Sequence, residues 1–273
     1  MYRQRFGFTG HPLPRDAHGK TFCPDLPGYP RLAAVFQQLL DERGLAVLTG
    51  EAGTGKTAAL RHLCHQLPTP EHRVLYLCDT AVSPLDLYRT LAFELGIVPS
   101  HRRGQLWTDL KKTLLHLVDQ RNTLPVVVID EAHHLSDQFL IDLSGFLNFA
   151  FDSRDLIAVW LVGLPPLLRT LRLHPHSALA MRIAAHIHLE PLPRDAFSTF
   201  IDHGLKAAGA HTQLLSDPAR EMLFRASRGV PRVGAKLLRA AFGNAHQRDQ
   251  SFIDEPVMEQ AITDLAFAVT AVN

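Results

Sequence analysis

The run Gly50-Glu51-Ala52-Gly53-Thr54-Gly55-Lys56-Thr57 constrains this chain more than any other feature. It fits the pattern GxxxxGK[ST], a glycine-rich turn whose backbone N–H groups curl around phosphate oxygens. Its flanks suit that use. Leu45-Ala46-Val47-Leu48 is a short apolar run that predicts a buried strand, and helical spacing resumes from Lys56 to about Leu67. The loop therefore brings a helix N-terminus, with its partial positive charge, towards the phosphates. Lys56 is expected to reach the outer phosphates and the Thr57 hydroxyl to ligate Mg²⁺.

Further along, Pro125-Val126-Val127-Val128-Ile129-Asp130-Glu131 predicts a buried strand that ends in two carboxylates. In parallel α/β sheets ligands bind outside the carboxyl ends of strands. Asp130 is expected to hold Mg²⁺, directly or through water, and Glu131 to orient and polarise an attacking water. Other apolar runs fall at Arg73 to Cys78, Leu156 to Val162 and Ala184 to Leu189, and helical spacing separates them. Continuous Val/Leu/Ile strands alternating with helices indicate a parallel sheet covered on both faces. After Pro191 the strand signals stop, and Asp195 to Ala208, Asp217 to Ser227, Val233 to Gln247 and Asp254 to Phe267 all read as helices. The expected organisation is an extended arm over 1–30, an α/β core over 31–190, and a small helical lid with its tail over 191–273.

The 273 residues are 46% hydrophobic, enough for a substantial core, and the net charge of +1 argues neither for nor against nucleic acid. Cys23, Cys64 and Cys78 form no close pair, which suits a reducing compartment. The opening residues carry prolines and charges rather than an apolar leader, and the longest apolar stretch, Leu156 to Leu168, is too short to span a membrane. A soluble, cytoplasmic protein with no membrane partner is expected. His133 and His134 follow Asp130-Glu131 directly, but adjacent side chains are expected to point apart, with no third ligand at useful spacing. The scattered His174, His176, His186 and His188 fit no zinc pattern either, and Trp107 and Trp160 read as core residues.

Asp130-Glu131-Ala132-His133 resembles the DExH form of the Walker B motif. With the helical lid and Gly229-Val230-Pro231-Arg232, the chain resembles the AAA+ superfamily of P-loop ATPases. Three stretches narrow the resemblance to the ExeA/TniB/TnsC group: Leu48 to Thr57, Val128 to Leu135, and Leu161-Val162-Gly163-Leu164-Pro165-Pro166-Leu167. It covers roughly residues 30 to 245 and implies a Mg²⁺-dependent ATPase with a sandwiched parallel sheet followed by an all-helical lid. ATP would contact Gly50, Glu51, Ala52, Gly53, Thr54, Gly55, Lys56, Thr57 and Ala58. Arg232 would touch the γ-phosphate from within the same chain. Arg182, in Met181-Arg182-Ile183, matches the arginine that completes a neighbouring subunit's site in such proteins. The group usually has a polar residue where this chain has Leu164, a side chain that aligns the attacking water; a leucine there implies slow hydrolysis, which suits a switch.

The resemblance also bears on partners. TniB- and TnsC-like proteins assemble on double-stranded DNA in their ATP state, as rings or filaments, and recruit or activate a transposase. ExeA-like proteins power assembly of a secretion apparatus and carry a membrane segment and a cell-wall-binding region. Because neither feature is present up to Asn273, the expected reading is the transposition regulator, with secretion or protein remodelling as the alternative. His101-Arg102-Arg103 and Lys111-Lys112 lie where DNA-handling relatives place their pore-facing elements, so Arg102, Arg103, Lys111 and Lys112 are the expected phosphate contacts. Phe6 and Phe8 could dock on a partner or on a neighbouring subunit, and the run Ala266 to Val272 could finish a lid helix or contact a transposase; nothing in the pattern chooses between these.

Overall fold

Five apolar stretches form strands in the computed structural model, which describes residues 2–210 and 212–270. They are β1 (Gly44–Gly50), β2 (His72–Leu77), β3 (Leu124–Ile129), β4 (Ala158–Gly163) and β5 (Ile183–Leu189). The helices in chain order are α1 (Tyr2–Arg5), α2 (Tyr29–Glu42), α3 (Lys56–His65), α4 (Pro84–Glu94), α5 (Arg103–Arg121) and α6 (Asp137–Phe146). There follow α7 (Pro166–Leu171), α8 (Ser177–Ala180), α9 (Arg194–Ala207), α10 (Asp217–Ser227), α11 (Pro231–Gln247), α12 (Glu255–Asp264) and α13 (Ala266–Thr270). Of the apolar run Ala266 to Val272, the last two residues lie outside the described residues, as does Asn273.

The chain divides into two units, one of residues 31–50 and 63–188, the other of residues 1–30, 51–62 and 189–273. The first unit holds the sheet, in the order β2-β3-β4-β1-β5, with β2 parallel to β3, β3 to β4 and β4 to β1. Its registers, such as Val127 opposite Val159 and Val47 opposite Leu161, bring the ends of β1 and β3 to the same edge of the sheet. Burial follows that order. Every residue of β3 and β4 is buried, whereas the edge strands β2 and β5 alternate.

Period-two geometry sorts the strand residues onto two faces. Leu45, Val47, Val127, Ile129, Val159 and Leu161 pack in one core with α4, α5 and α6. On the other face Trp160 is fully buried and stacks on Phe36 of α2, with ring centroids 5.9 Å apart. Caps fix where the covering helices start: the Ser83 and Ser136 hydroxyls accept the N–H groups of Asp86 and Phe139. Truncating a fully buried residue such as Leu161 to Ala is expected to cost about 2–5 kcal/mol.

The second unit is built on α9 to α12, around Phe197, Ile201, Leu223, Leu237, Phe242 and Met258. Ser216 and Asp254 cap α10 and α12. The arm contributes to this core instead of extending away from it: Phe6, Phe8 and Leu13 are all buried there. Phe6 and Phe8 meet Phe242 edge-on, at centroid distances of 4.8 and 5.0 Å. Their apolar surface is thus spent within the chain, not on a neighbour. The phosphate loop and the first turns of α3 also belong here, for His62 stacks on Phe22 and Arg61 donates to the carbonyl of Arg15.

Candidate functional site

In the second unit, the Glu51 carbonyl organises the loop that follows β1. It accepts from Lys56 Nζ and from Thr54 Oγ1, each at 2.9 Å. Gly53 adopts φ +88°, a left-handed conformation that glycine enters without steric cost. It is also the place of closest approach. A Cβ at Gly53 would lie 2.9 Å from Arg232 Cβ and 3.0 Å from Val230 Cγ1. The Arg232 backbone N–H donates to the Gly53 carbonyl at 3.2 Å, while the residue itself stays exposed. Arg232 opens α11 after Pro231, so the helix start and the loop fix one another. The structure thus brings the expected γ-phosphate arginine onto the loop of its own chain.

In the first unit, β3 delivers Asp130 to the carboxyl edge of the sheet, where Asp130 is buried. Its Oδ2 accepts the Tyr76 phenol at 2.9 Å and its Oδ1 the Glu131 N–H at 2.9 Å. Burial first, and then the Asp130 charge, push the Tyr76 phenol well above its ordinary pKa, so it stays a donor. These bonds hold the carboxylate at a set angle, as a Mg²⁺ ligand needs. Tyr76 was not among the expected site residues; a lone tyrosine next to last in an apolar edge strand was its only signal. Glu131 is left-handed, φ 51° and ψ 34°, and its carbonyl accepts the Thr80 hydroxyl at 2.8 Å. That turn starts a short 3₁₀ segment, Ala132–His134.

This segment corrects the expectation that the two histidines point apart with no third ligand. In a 3₁₀ turn successive side chains diverge by roughly 120°, less than across a strand. The His133 and His134 rings lie 4.0 Å apart, and with Glu131 they offer three ligand atoms within 4.8 Å of one another. No other such set occurs among the described residues. His133 Nδ1, however, accepts the Leu164 N–H at 3.3 Å and lies 3.6 Å from Glu131 Oε2. A metal bound at that nitrogen would break the bond to Leu164. On β5, His186 Nε2 and His188 Nδ1 both meet the buried Thr49 hydroxyl, at 2.8 and 2.9 Å.

Arg182 follows α8 and is paired with Asp152, in a turn where Ala150, Phe151 and Asp152 all have positive φ. The expected basic set splits in two. Arg103 pairs with Asp142 at 2.7 Å and lies over the Trp107 ring. Lys111 donates to the carbonyls of Gly145 and Asn148 at the end of α6, at 3.2 and 2.7 Å, and sits 4.7 Å from the Phe149 ring centre. Burial first, then the Arg182 charge, lower its pKa. Arg103 and Lys111 thus serve the packing of α5 on α6, a use that spacing along α5 does not reveal. Arg102 and Lys112 remain exposed.

Residues 39–171 match the family described as AAA domain. The general secretion pathway protein A of Aeromonas hydrophila is 32% identical over 234 residues, which are 85% of this chain and 43% of that protein. The chain therefore spans less than half the length of this curated relative. Among solved structures, Cdc6p from Pyrobaculum aerophilum superposes with a TM-score of 0.71 at 18% identity, over 96% of this chain and 71% of that one. The Aeropyrum pernix ORC1 protein in complex with DNA gives 0.67 at 17%, over 87% and 64%. The RuvB Holliday junction branch migration motor of Thermotoga maritima gives 0.59 at 18%, over 87% and 68%. At these identities the structures speak for the fold alone, and that fold is the α/β fold of P-loop AAA+ ATPases. No helix among the described residues is long and apolar enough to cross a membrane.

Proposed function

We propose that this chain is an AAA+ switch that binds and slowly hydrolyses ATP with Mg²⁺, and that ATP governs its assembly into oligomers. One observation carries the reading: a lid arginine, Arg232, is bonded through its own backbone to Gly53 of the phosphate loop. Lys56 and the loop N–H groups from Glu51 to Ala58 hold the phosphates, and Thr57 and Asp130 are the residues that would hold Mg²⁺, whose charge would offset that of the phosphates. Glu131 orients a water and takes its proton as the water oxygen bonds to the γ-phosphorus and the bond to the β-phosphate bridging oxygen breaks. Arg232 steadies the γ-phosphate from its own chain, and Arg182 acts on the site of a neighbouring copy.

For the partner, we infer a role in assembling a secretion apparatus, because the identity with general secretion pathway protein A extends over 85% of the chain. Regulation of transposition on double-stranded DNA through a transposase rests on the motif resemblance alone, and two of its four expected DNA contacts are engaged elsewhere. Binding to random double-stranded DNA without nucleotide, with ADP and with a slowly hydrolysed ATP analogue, over a salt series, separates the two. No binding in any state supports the secretion reading. Tight, salt-sensitive binding with the analogue alone reverses the choice. The ATPase reading itself is tested by phosphate release. Wild type should turn over, Glu131→Gln should bind ATP without turnover, and a wild type with no turnover refutes the reading.

A further inference from the structure

The residues between the ends of β3 and β4 carry more than a turn. Gly163 closes β4, and a Cβ there would lie 3.1 Å from the His133 backbone nitrogen and 3.2 Å from its Nδ1. The missing side chain lets His133 lie against the strand end. Leu164 has no polar side chain, but its N–H is a strong donor at the same edge of the sheet as Glu131. A carboxylate is the better acceptor for an N–H, because charge-assisted bonds are roughly twice as strong as neutral ones. Left unsatisfied, the Leu164 N–H would draw in the Glu131 carboxylate. His133 takes that place instead. Its Nδ1 accepts from Leu164 at 3.3 Å, so in the neutral ring the proton sits on Nε2. The Nδ1 lone pair then stands 3.6 Å from Glu131 Oε2, where the two atoms face each other lone pair to lone pair.

We propose that His133 is a positioning residue for ATP hydrolysis: it occupies the Leu164 N–H and so keeps the Glu131 carboxylate available to the attacking water. The role rests on the ATPase reading above. It gives the β4 end a polar function that the Leu164 side chain cannot supply. The acceptor comes from the turn after β3, through a ring nitrogen, and not from β4.

The test compares His133→Asn, His133→Gln and His133→Ala by kcat, by ATP affinity with a fluorescent analogue, and by melting temperature. Asn can place an acceptor near the position of Nδ1, whereas Gln reaches only towards that of Nε2. The expected result is that Asn keeps kcat within about threefold of wild type, while Gln and Ala lose about 10- to 100-fold, the range for losing a group that orients a functional side chain. ATP affinity should change less than twofold in all three, because the phosphate loop is untouched. If Ala fails to fold, the contrast between Asn and Gln still decides. Equal kcat for Asn and Gln, or an Ala variant as fast as wild type, overturns the proposal while leaving the ATPase reading intact. A wild type without phosphate release overturns both.

Discussion

Two arginines are proposed to act on the γ-phosphate, and they are held by unlike means. Arg232 is placed by backbone: its N–H is bonded to Gly53, its Cβ lies against that glycine, and Pro231 fixes the helix start. Arg182 is placed by one ion pair with Asp152, on a turn with three consecutive left-handed residues. An arginine that serves its own chain can be built rigidly into the loop it watches. One that serves a neighbour is better kept in a contact that can be exchanged, and an exposed ion pair contributes only about 0–1 kcal/mol.

Substitutions can break this contrast, beginning at the rigid end. Gly53→Ala should have the largest effect, because it combines left-handed strain with a clash at Arg232 and Val230. ATP binding should fall at least about 100-fold as measured by nucleotide titration, since a misplaced contact of this kind is worth several kcal/mol. Arg182→Ala should come next, lowering kcat about 10²- to 10³-fold, as expected for one transition-state donor. Mixing Arg182→Ala with Glu131→Gln should restore part of the activity, because each variant supplies what the other lacks. A mixture as inactive as its components would place the neighbour-acting arginine elsewhere. Arg232→Ala should slow hydrolysis by about 10-fold or more, and mixing should not rescue it. Asp152→Asn should change least: kcat within about twofold and a melting shift no larger than that of a surface ion pair, with tighter self-association by sedimentation. If it instead lowers activity as far as Arg182→Ala, Asp152 holds the arginine in its working position.

The strands and long helices were legible because each is a local pattern. Continuous apolar runs marked β1, β3 and β4, and three- to four-residue spacing marked α9 to α12. Lys56, Thr57, Asp130 and Glu131 stood in contiguous motifs, and their flanks placed them at strand ends. What escaped was pairing over distance. His133 meets Leu164 across 31 positions and Tyr76 meets Asp130 across 54, and no periodicity links such residues. The same holds for Lys111, whose partner Asn148 is 37 positions away, and its charge alone suggested a phosphate contact. Phe6 and Phe8 sit among prolines and glycines, so nothing local marked them as part of a core completed by Phe242.

That last contact sets a timetable. Phe6, Phe8 and Leu13 are synthesised before the helices α9 to α12 that complete their core. At ribosomal speeds of about 5–20 residues per second, on the order of ten to fifty seconds pass before Phe242 follows Phe8. During that interval an aromatic cluster waits in solvent while the sheet, whose strands all precede residue 190, is free to form. Biogenesis is then asymmetric: the nascent chain carries a sticky segment whose berth is made only later, and a holdase that covers it early would raise the yield of native protein.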